Sequence, residues 1–198
     1  MEGTIVAVNK AKVYTIHKGG EWARITIEEW DGGGSFQCTS SFGNYNYIWG
    51  SIGDITLREF LCSLDYGYFY GKTSSNTTSG QRFSVEKTVA VMKEDVLGSR
   101  RNDGITETAA REYFNELNEL LDHDVKSEFY SELFRTELFG EFYLGDYSSV
   151  YEQFENDPQC NGFWTVLWQD MCEFWKSELQ KERPLESGEV YKKNRGNG

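Results

Sequence analysis

An α+β fold is predicted, with an N-terminal antiparallel β-sheet of three to four strands and a short helix, followed by a C-terminal helical region. Three observations predict it. β-Branched and aromatic residues alternate with polar ones before residue 50, apolar residues recur at helical spacing after residue 53, and the strands precede the helices instead of alternating with them.

The strand chemistry begins with Thr4 to Ile16 (TIVAVNKAKVYTI) and Trp22 to Trp30 (WARITIEEW), and the Lys18-Gly19-Gly20-Glu21 break between them reads as a hairpin. Asp31-Gly32-Gly33-Gly34 is a second turn, leading into Ser35 to Ser40 and, past Gly43-Asn44, into Tyr45 to Trp49. Ala23, Ile25 and Ile27 alternate with Arg24, Thr26 and Glu28, which predicts one buried and one wet face. Asp54 or Thr56 can then cap a short helix through about Asp65, with Leu57, Phe60, Leu61 and Leu64 on one stripe.

From Ser84 the pattern is helical. Ser84 starts a helix carrying Val85, Val89, Met92, Val96 and Leu97 and ending at Gly98; Thr106 caps another, with Tyr113, Phe114, Leu117, Leu120 and Leu121 inward. Glu112, Glu116 and Glu119 fall on a different face of that helix. A helix from about Val125 to Phe139 repeats the arrangement, with Phe129, Tyr130, Leu133, Phe134 and Leu138 inside and Glu128, Glu132, Glu137 and Glu141 more exposed. Ser148 to Glu155 reads as a further short helix, and Gly162 to Arg183 as a long one whose Trp164, Leu167, Trp168, Met171, Trp175 and Leu179 belong in a core or an interface. The chain thus divides into a strand-rich subdomain at 1–72, a loop or linker at 73–83, an acidic helical subdomain at 84–183 and a polar tail at 184–198 that ends in KKNRGNG.

A chain of 198 residues that is 38% hydrophobic and 16% aromatic can build a core. There is no run of 18 apolar residues, and the start MEGTIVAVNKAKVY lacks the layout of a signal peptide, so a soluble, intracellular protein is expected. The Asn76-Thr77-Thr78 sequon then carries no meaning.

Gly71-Lys72-Thr73 matches the tail of a phosphate-binding loop, but Gly67 leaves three residues between the glycines where the loop needs four, and those residues are Tyr68, Phe69 and Tyr70. An aromatic helix end followed by a polar loop fits better. Cys38, Cys62, Cys160 and Cys172 form no CxxC pair, and His17 and His123 lie far from them, so core thiols are expected instead of zinc ligands. There is no G-x-S-x-G elbow. Asp122-His123-Asp124 is the most catalytic-looking triplet, although consecutive residues point different ways on a helix and a solvated turn is the plainer reading. No catalytic, cofactor-binding or metal-binding residue is assigned, and no cofactor is expected.

The charge is uneven. Of a net −12, residues 102–173 hold seventeen acids against Arg111, Lys126 and Arg135. Direct nucleic-acid binding by this region is disfavoured, since neutralising phosphates needs clustered Lys and Arg. Carboxylates at i and i+4 lie about 6 Å apart along a helix, near the spacing of nucleic-acid phosphates, so this surface could mimic a nucleic acid and compete for a basic channel. An acidic helix face can equally be a merely soluble one.

The segments Gly43 to Gly50 (GNYNYIWG), Gly53 to Leu61 (GDITLREFL) and Asp65 to Lys72 resemble a block in small proteins of tailed bacteriophages and prophages. That resemblance covers about 30 residues in all. It implies a phage protein acting in bacterial cytoplasm, where small acidic proteins often resemble inhibitors of host defence of the anti-CRISPR or anti-restriction type. It carries over no catalytic residue.

The expected function is therefore a non-enzymatic, phage-type inhibitor of host defence that binds a basic protein or nucleoprotein complex. The partner-binding candidates are Glu112, Glu116, Glu119, Glu128, Glu132, Glu137, Tyr47 and Trp49. The composition leaves a homodimer open, and no membrane is expected as a partner. The alternative is a small enzyme or enzyme accessory with a site on the aromatic face around Tyr45, Tyr47, Trp49 and Tyr68.

Overall fold

The computed structural model describes residues 6–74 and 79–182. Thr4 and Ile5 of the first expected strand, the 76–78 sequon, Arg183 and the polar tail lie outside the described residues. The fold is α+β, with a four-stranded antiparallel sheet followed by helices. Contacts divide the chain into two compact units, Met1–Asp65 with Gly162–Gly198, and Tyr66–Asn161. This grouping differs from the expected break at 73–83, because the last helix buries its rings against the sheet.

In the first unit, strands β1 (Lys12–Lys18), β2 (Glu21–Trp30), β3 (Gly33–Ser40) and β4 (Gly43–Trp49) form a meander in the order β1-β2-β3-β4. The first hairpin closes with Lys18 opposite Glu21, and its two turn residues, Gly19 and Gly20, have φ of 60° and 91°. Positive φ at both central positions matches the twist of the flanking strands and favours glycine. Residues 6–11 are not in a strand, so β1 begins later than its composition suggests.

The alternation in β2 holds: Ala23, Ile25 and Ile27 are buried. Cross-strand register puts Tyr14, Ile25, Cys38 and Tyr45 on that same face, with Ile27, Phe36 and Tyr47 beside them. Helix α1 (Leu57–Ser63) carries a complete capping box: the Thr56 hydroxyl accepts from the Glu59 N–H while the Glu59 carboxylate accepts from the Thr56 N–H. The Leu57 N–H donates to Glu29 of β2 at 2.7 Å. A Cβ at Gly34 would meet Leu57 at 2.6 Å, so the missing side chain lets the helix approach β3.

The expected long helix appears as a π-helical stretch, Phe163–Trp168, continuing into an α-helix (Gln169–Glu182). Its rings meet the sheet edge-on, with Trp168 against Phe36 at 5.6 Å and Trp175 against Tyr14 at 5.5 Å. Trp168 and Trp175 are both essentially inaccessible to solvent. Arg58 of α1 is also buried; its Nη atoms donate to Glu182 at 2.6 Å and to Glu178 at 3.4 Å, which ties α1 to the last helix.

In the second unit, α2 (Tyr66–Thr73) places Gly71-Lys72-Thr73 at a helix end, the reverse of the order a phosphate loop requires. The Tyr70 hydroxyl, buried, donates to the Cys160 carbonyl at 2.6 Å. Helix α3 (Val85–Arg101) is capped by Ser84 as expected but runs through Gly98 to Arg101. Helix α4 (Glu107–Glu119) is capped by Thr106, whose hydroxyl accepts from Ala109. Helix α5 (Lys126–Leu133) follows. Their inner faces share a core that includes Val89, Met92, Val96, Leu117, Phe129 and Leu133.

Three expectations for this unit are corrected. The helix expected from Val125 to Phe139 stops at Leu133, and a π-helical turn occupies Leu138–Phe142. The Thr136 hydroxyl donates to the Leu133 carbonyl and accepts from the Phe139 N–H, so a side chain takes bonds that would have continued the helix. Phe134 and Leu121, expected inside, are 51% and 38% exposed. The helix expected at Ser148–Glu155 is a short turn, Tyr147–Ser149, and then a strand, Phe154–Asn156, paired antiparallel with Gln81–Phe83. Its backbone is taken by distant partners: the Gln153 N–H donates to Thr88, and the Gln153 carbonyl accepts from Ser84.

Candidate functional site: a carboxylate-rich helical surface

The acids of the second unit fall into two sets. In the first, carboxylates accept hydrogen bonds from tyrosines at the rim of the core: Tyr113 donates to Glu141, Tyr130 to Glu152 and Tyr143 to Asp95. Burial first, and the adjoining carboxylate second, holds all three phenols above their ordinary range; for Tyr143 the carboxylate is that of Asp95. Burial alone would raise the Glu152 carboxyl, but hydrogen bonds from Lys126, Tyr130 and Tyr147 outweigh it and hold the group below its ordinary range.

Glu116 also belongs to the structural set. Its two oxygens accept from the backbone N–H groups of Glu137 and Leu138 at 2.9 and 2.8 Å, capping the π-helical turn. Glu132 is paired with Arg135 at 2.6 Å.

The second set is unengaged. Glu112, Glu119, Asp122, Asp124, Glu128 and Glu137 are exposed, and their carboxylates make no hydrogen bond or ion pair with a described residue. Between residues 102 and 161 there are fifteen acids and three bases. Each of those bases already has an internal partner: Arg111 pairs with Glu107, Lys126 with Glu152 and Arg135 with Glu132.

A cleft of about 270 Å³ lies on this surface, lined by Glu116, Glu119, His123, Glu132, Arg135 and Thr136 together with Leu120. It brings three of the expected glutamates together with His123. Glu112, Glu128 and Glu137 are not among its lining residues. The Asp122-His123-Asp124 triplet does not act as one group: Asp122 ends a 3₁₀ turn, His123 faces the cleft, and Asp124 lines a separate hollow with Arg82 and Glu155. Among the described residues, no group of three or more His, Cys, Asp or Glu side chains is arranged to hold a metal ion. The cleft offers carboxylate acceptors to a cation and one guanidinium, Arg135, already neutralised.

The aromatic candidates lie elsewhere. Tyr45 and Trp49 are 3% and 5% exposed on the core-facing side of the sheet; Tyr45 packs on Phe163, and Trp49 on Tyr47 and Phe60. Tyr47 is half-buried, and Tyr68 is an exposed residue of α2 in the other unit. Alternation along β4 could have revealed this, since residues 45, 47 and 49 share one face and Tyr45 pairs with Cys38.

The family model Phage_phiTE_072, described as a phage family, matches residues 6–176. The chain belongs to this phage family. No curated protein and no solved structure matches. The match runs through both units of the phage protein, from just before β1 into the last helix, so sheet and acidic helices are features of one family domain organisation. No helix among the described residues is long and apolar enough to cross a membrane.

Proposed function

We propose that this phage protein inhibits a host defence system by binding a basic, nucleic-acid-handling protein or nucleoprotein complex through its acidic helical surface. One observation supports it above the others. Every base between residues 102 and 161 is neutralised internally, while Glu112, Glu119, Asp122, Asp124, Glu128 and Glu137 are left facing solvent. Such a surface presents charge of one sign, which attracts a positive partner at long range and excludes direct contact with nucleic acid.

The decisive experiment expresses the protein in bacteria carrying a restriction or CRISPR system and measures plating of a sensitive phage. Plating should rise with the wild type and fall back when Glu112, Glu119, Glu128 and Glu137 are together replaced by Lys. Wild-type protein that relieves no defence, or a charge-reversed variant that relieves it equally, would refute the proposal. Glu116 is kept out of the variant because its carboxylate caps the backbone.

A further inference from the structure

Beyond the free carboxylates, the helical unit exposes a row of rings. Tyr130 contacts Phe134 at 5.7 Å and Tyr147 at 5.2 Å between ring centres, and Phe134 contacts Phe139 at 4.8 Å. Tyr130 is the buried floor, whereas Phe134 and Tyr147 are each 51% exposed. Half-exposed large rings, packed at a tilt on a buried one, are what binding surfaces use as anchors.

The chemistry around the row selects a cation. The Tyr147 hydroxyl donates to Glu152 at 3.1 Å, so one carboxylate joins both tyrosines. Asp146 precedes Tyr147, and hydrogen bonds from Ser148 and Ser149 hold its carboxyl below the ordinary range. The same cluster already binds one cation internally. Lys126 lies 5.6 Å from the Phe83 ring centre and 5.8 Å from that of Tyr130, and it pairs with Glu152 at 2.6 Å. Ring faces plus a carboxylate thus hold an ammonium on one side of Tyr130. Phe134 and Tyr147 present ring surface to solvent, beside the exposed Asp146 that precedes Tyr147.

We infer that the Phe134–Tyr147 surface, bordered by Asp146, is the docking site for an arginine of a basic protein partner. A guanidinium can stack flat on the rings and share its N–H groups with the Asp146 carboxylate, which an ammonium does less well. The inference rests on the acidic-surface function proposed above and adds to it the side chain recognised and the place where it sits.

The test measures nona-arginine and nona-lysine peptides against the full chain by calorimetry, at low and at physiological salt. The wild type should prefer nona-arginine. Phe134→Leu with Tyr147→Leu keeps apolar bulk but removes both ring faces; it should weaken nona-arginine by about five- to thirtyfold, with nona-lysine changed less. Tyr151→Ala, at an exposed ring outside the row, serves as the control and should leave both affinities unchanged. A thermal melt verifies that the double variant folds, and Tyr147→Leu alone supplies a smaller loss in the same direction if it does not. Equal loss for both peptides, or no loss, overturns the arginine site. If reversal of Glu112, Glu119, Glu128 and Glu137 abolishes binding while the ring variants match the wild type, the arginine site falls and the acidic surface stands. If the ring variants lose affinity and the charge reversal has no effect, the site stands and the acidic-surface reading falls.

Discussion

All six tryptophans lie in the sheet unit, within residues 22–49 and 164–175, and none lies between 66 and 161. The helical unit fills its core with phenylalanine and tyrosine instead. The difference decides where charge goes. Trp168 and Trp175 bury large areas and call for no anion, and a buried guanidinium of the sheet unit, Arg58, is answered by Glu178 and Glu182. Tyrosines at the rim of the other core need an acceptor, and Glu141, Glu152 and Asp95 provide it. Part of the helical unit's acidity is therefore structural, and only the remainder is available to a partner.

The sharpest way to break the comparison is Trp168→Ala. It removes a fully buried ring from the sheet unit and should cost about 3–5 kcal/mol in that unit. Because every tryptophan belongs to the sheet unit, the remaining indoles follow its denaturation by emission maximum, while far-UV circular dichroism reports mainly helix. Coincident transitions with no loss of stability would contradict the packing.

Tyr130→Phe should cost about 1.5–3 kcal/mol, the range for a hydrogen bond to a charged group. It also tests a pH dependence. Tyr113, Tyr130 and Tyr143 have folded pKa values above the ordinary 10.0, and Tyr66 is pushed up to about 12. Their contribution is complete below pH 10.0 and declines as pH rises through the folded values, because the unfolded chain loses the protons first. In the sheet unit, burial likewise raises Tyr14. Raising the pH to 11 should thus lower the helical signal before the tryptophan emission maximum moves, and less so in Tyr130→Phe. A single alkaline transition unaffected by the substitution would count against the rim tyrosines.

Glu116→Ala should cost about 1 kcal/mol, as loss of a helix cap does, whereas Glu112→Ala and Glu119→Ala should each stay within about 0.5 kcal/mol. Urea denaturation separates these. Equal costs at the three positions would erase the distinction between structural and free carboxylates.

The smallest effect is chemical. The Cys172 side chain hydrogen-bonds Cys62 and, with Lys176 and Arg58 nearby, lowers the Cys62 thiol below its usual value despite burial. Burial pushes Cys38 up to about 12. Iodoacetamide at pH 8 should label Cys62 before Cys38 and Cys172, as peptide mapping would show. Labelling of Cys38 first would contradict the assignment.

What was legible in the sequence was local. Thr56, Ser84 and Thr106 mark helix starts because a cap acts over three residues, and β2 displays its buried face through strict alternation. The strand Phe154–Asn156 was not legible, since its partner Gln81–Phe83 lies some seventy residues earlier and neither segment is long enough to show a period. The acidic face was legible as a count of charges, but its division was not. That Glu116 caps Glu137 and Leu138, while Glu119 remains free, follows from where a distant turn packs. Phe134 fitted the apolar stripe of a helix that ends one residue before it.

The sheet unit is discontinuous, and that has a consequence for synthesis on the ribosome. Its last strand ends at Trp49, and the helical stretch that covers its apolar face starts only at Phe163. At bacterial elongation rates the intervening residues occupy on the order of ten seconds, during which Ile25, Phe36 and Tyr45 have no lid. The helical unit, contiguous from 66 to 161, is complete before that lid emerges. Released chains truncated after residue 161 should therefore be cleaved by protease in the sheet and spared in the helices, giving a maturation order opposite to the order of the sequence.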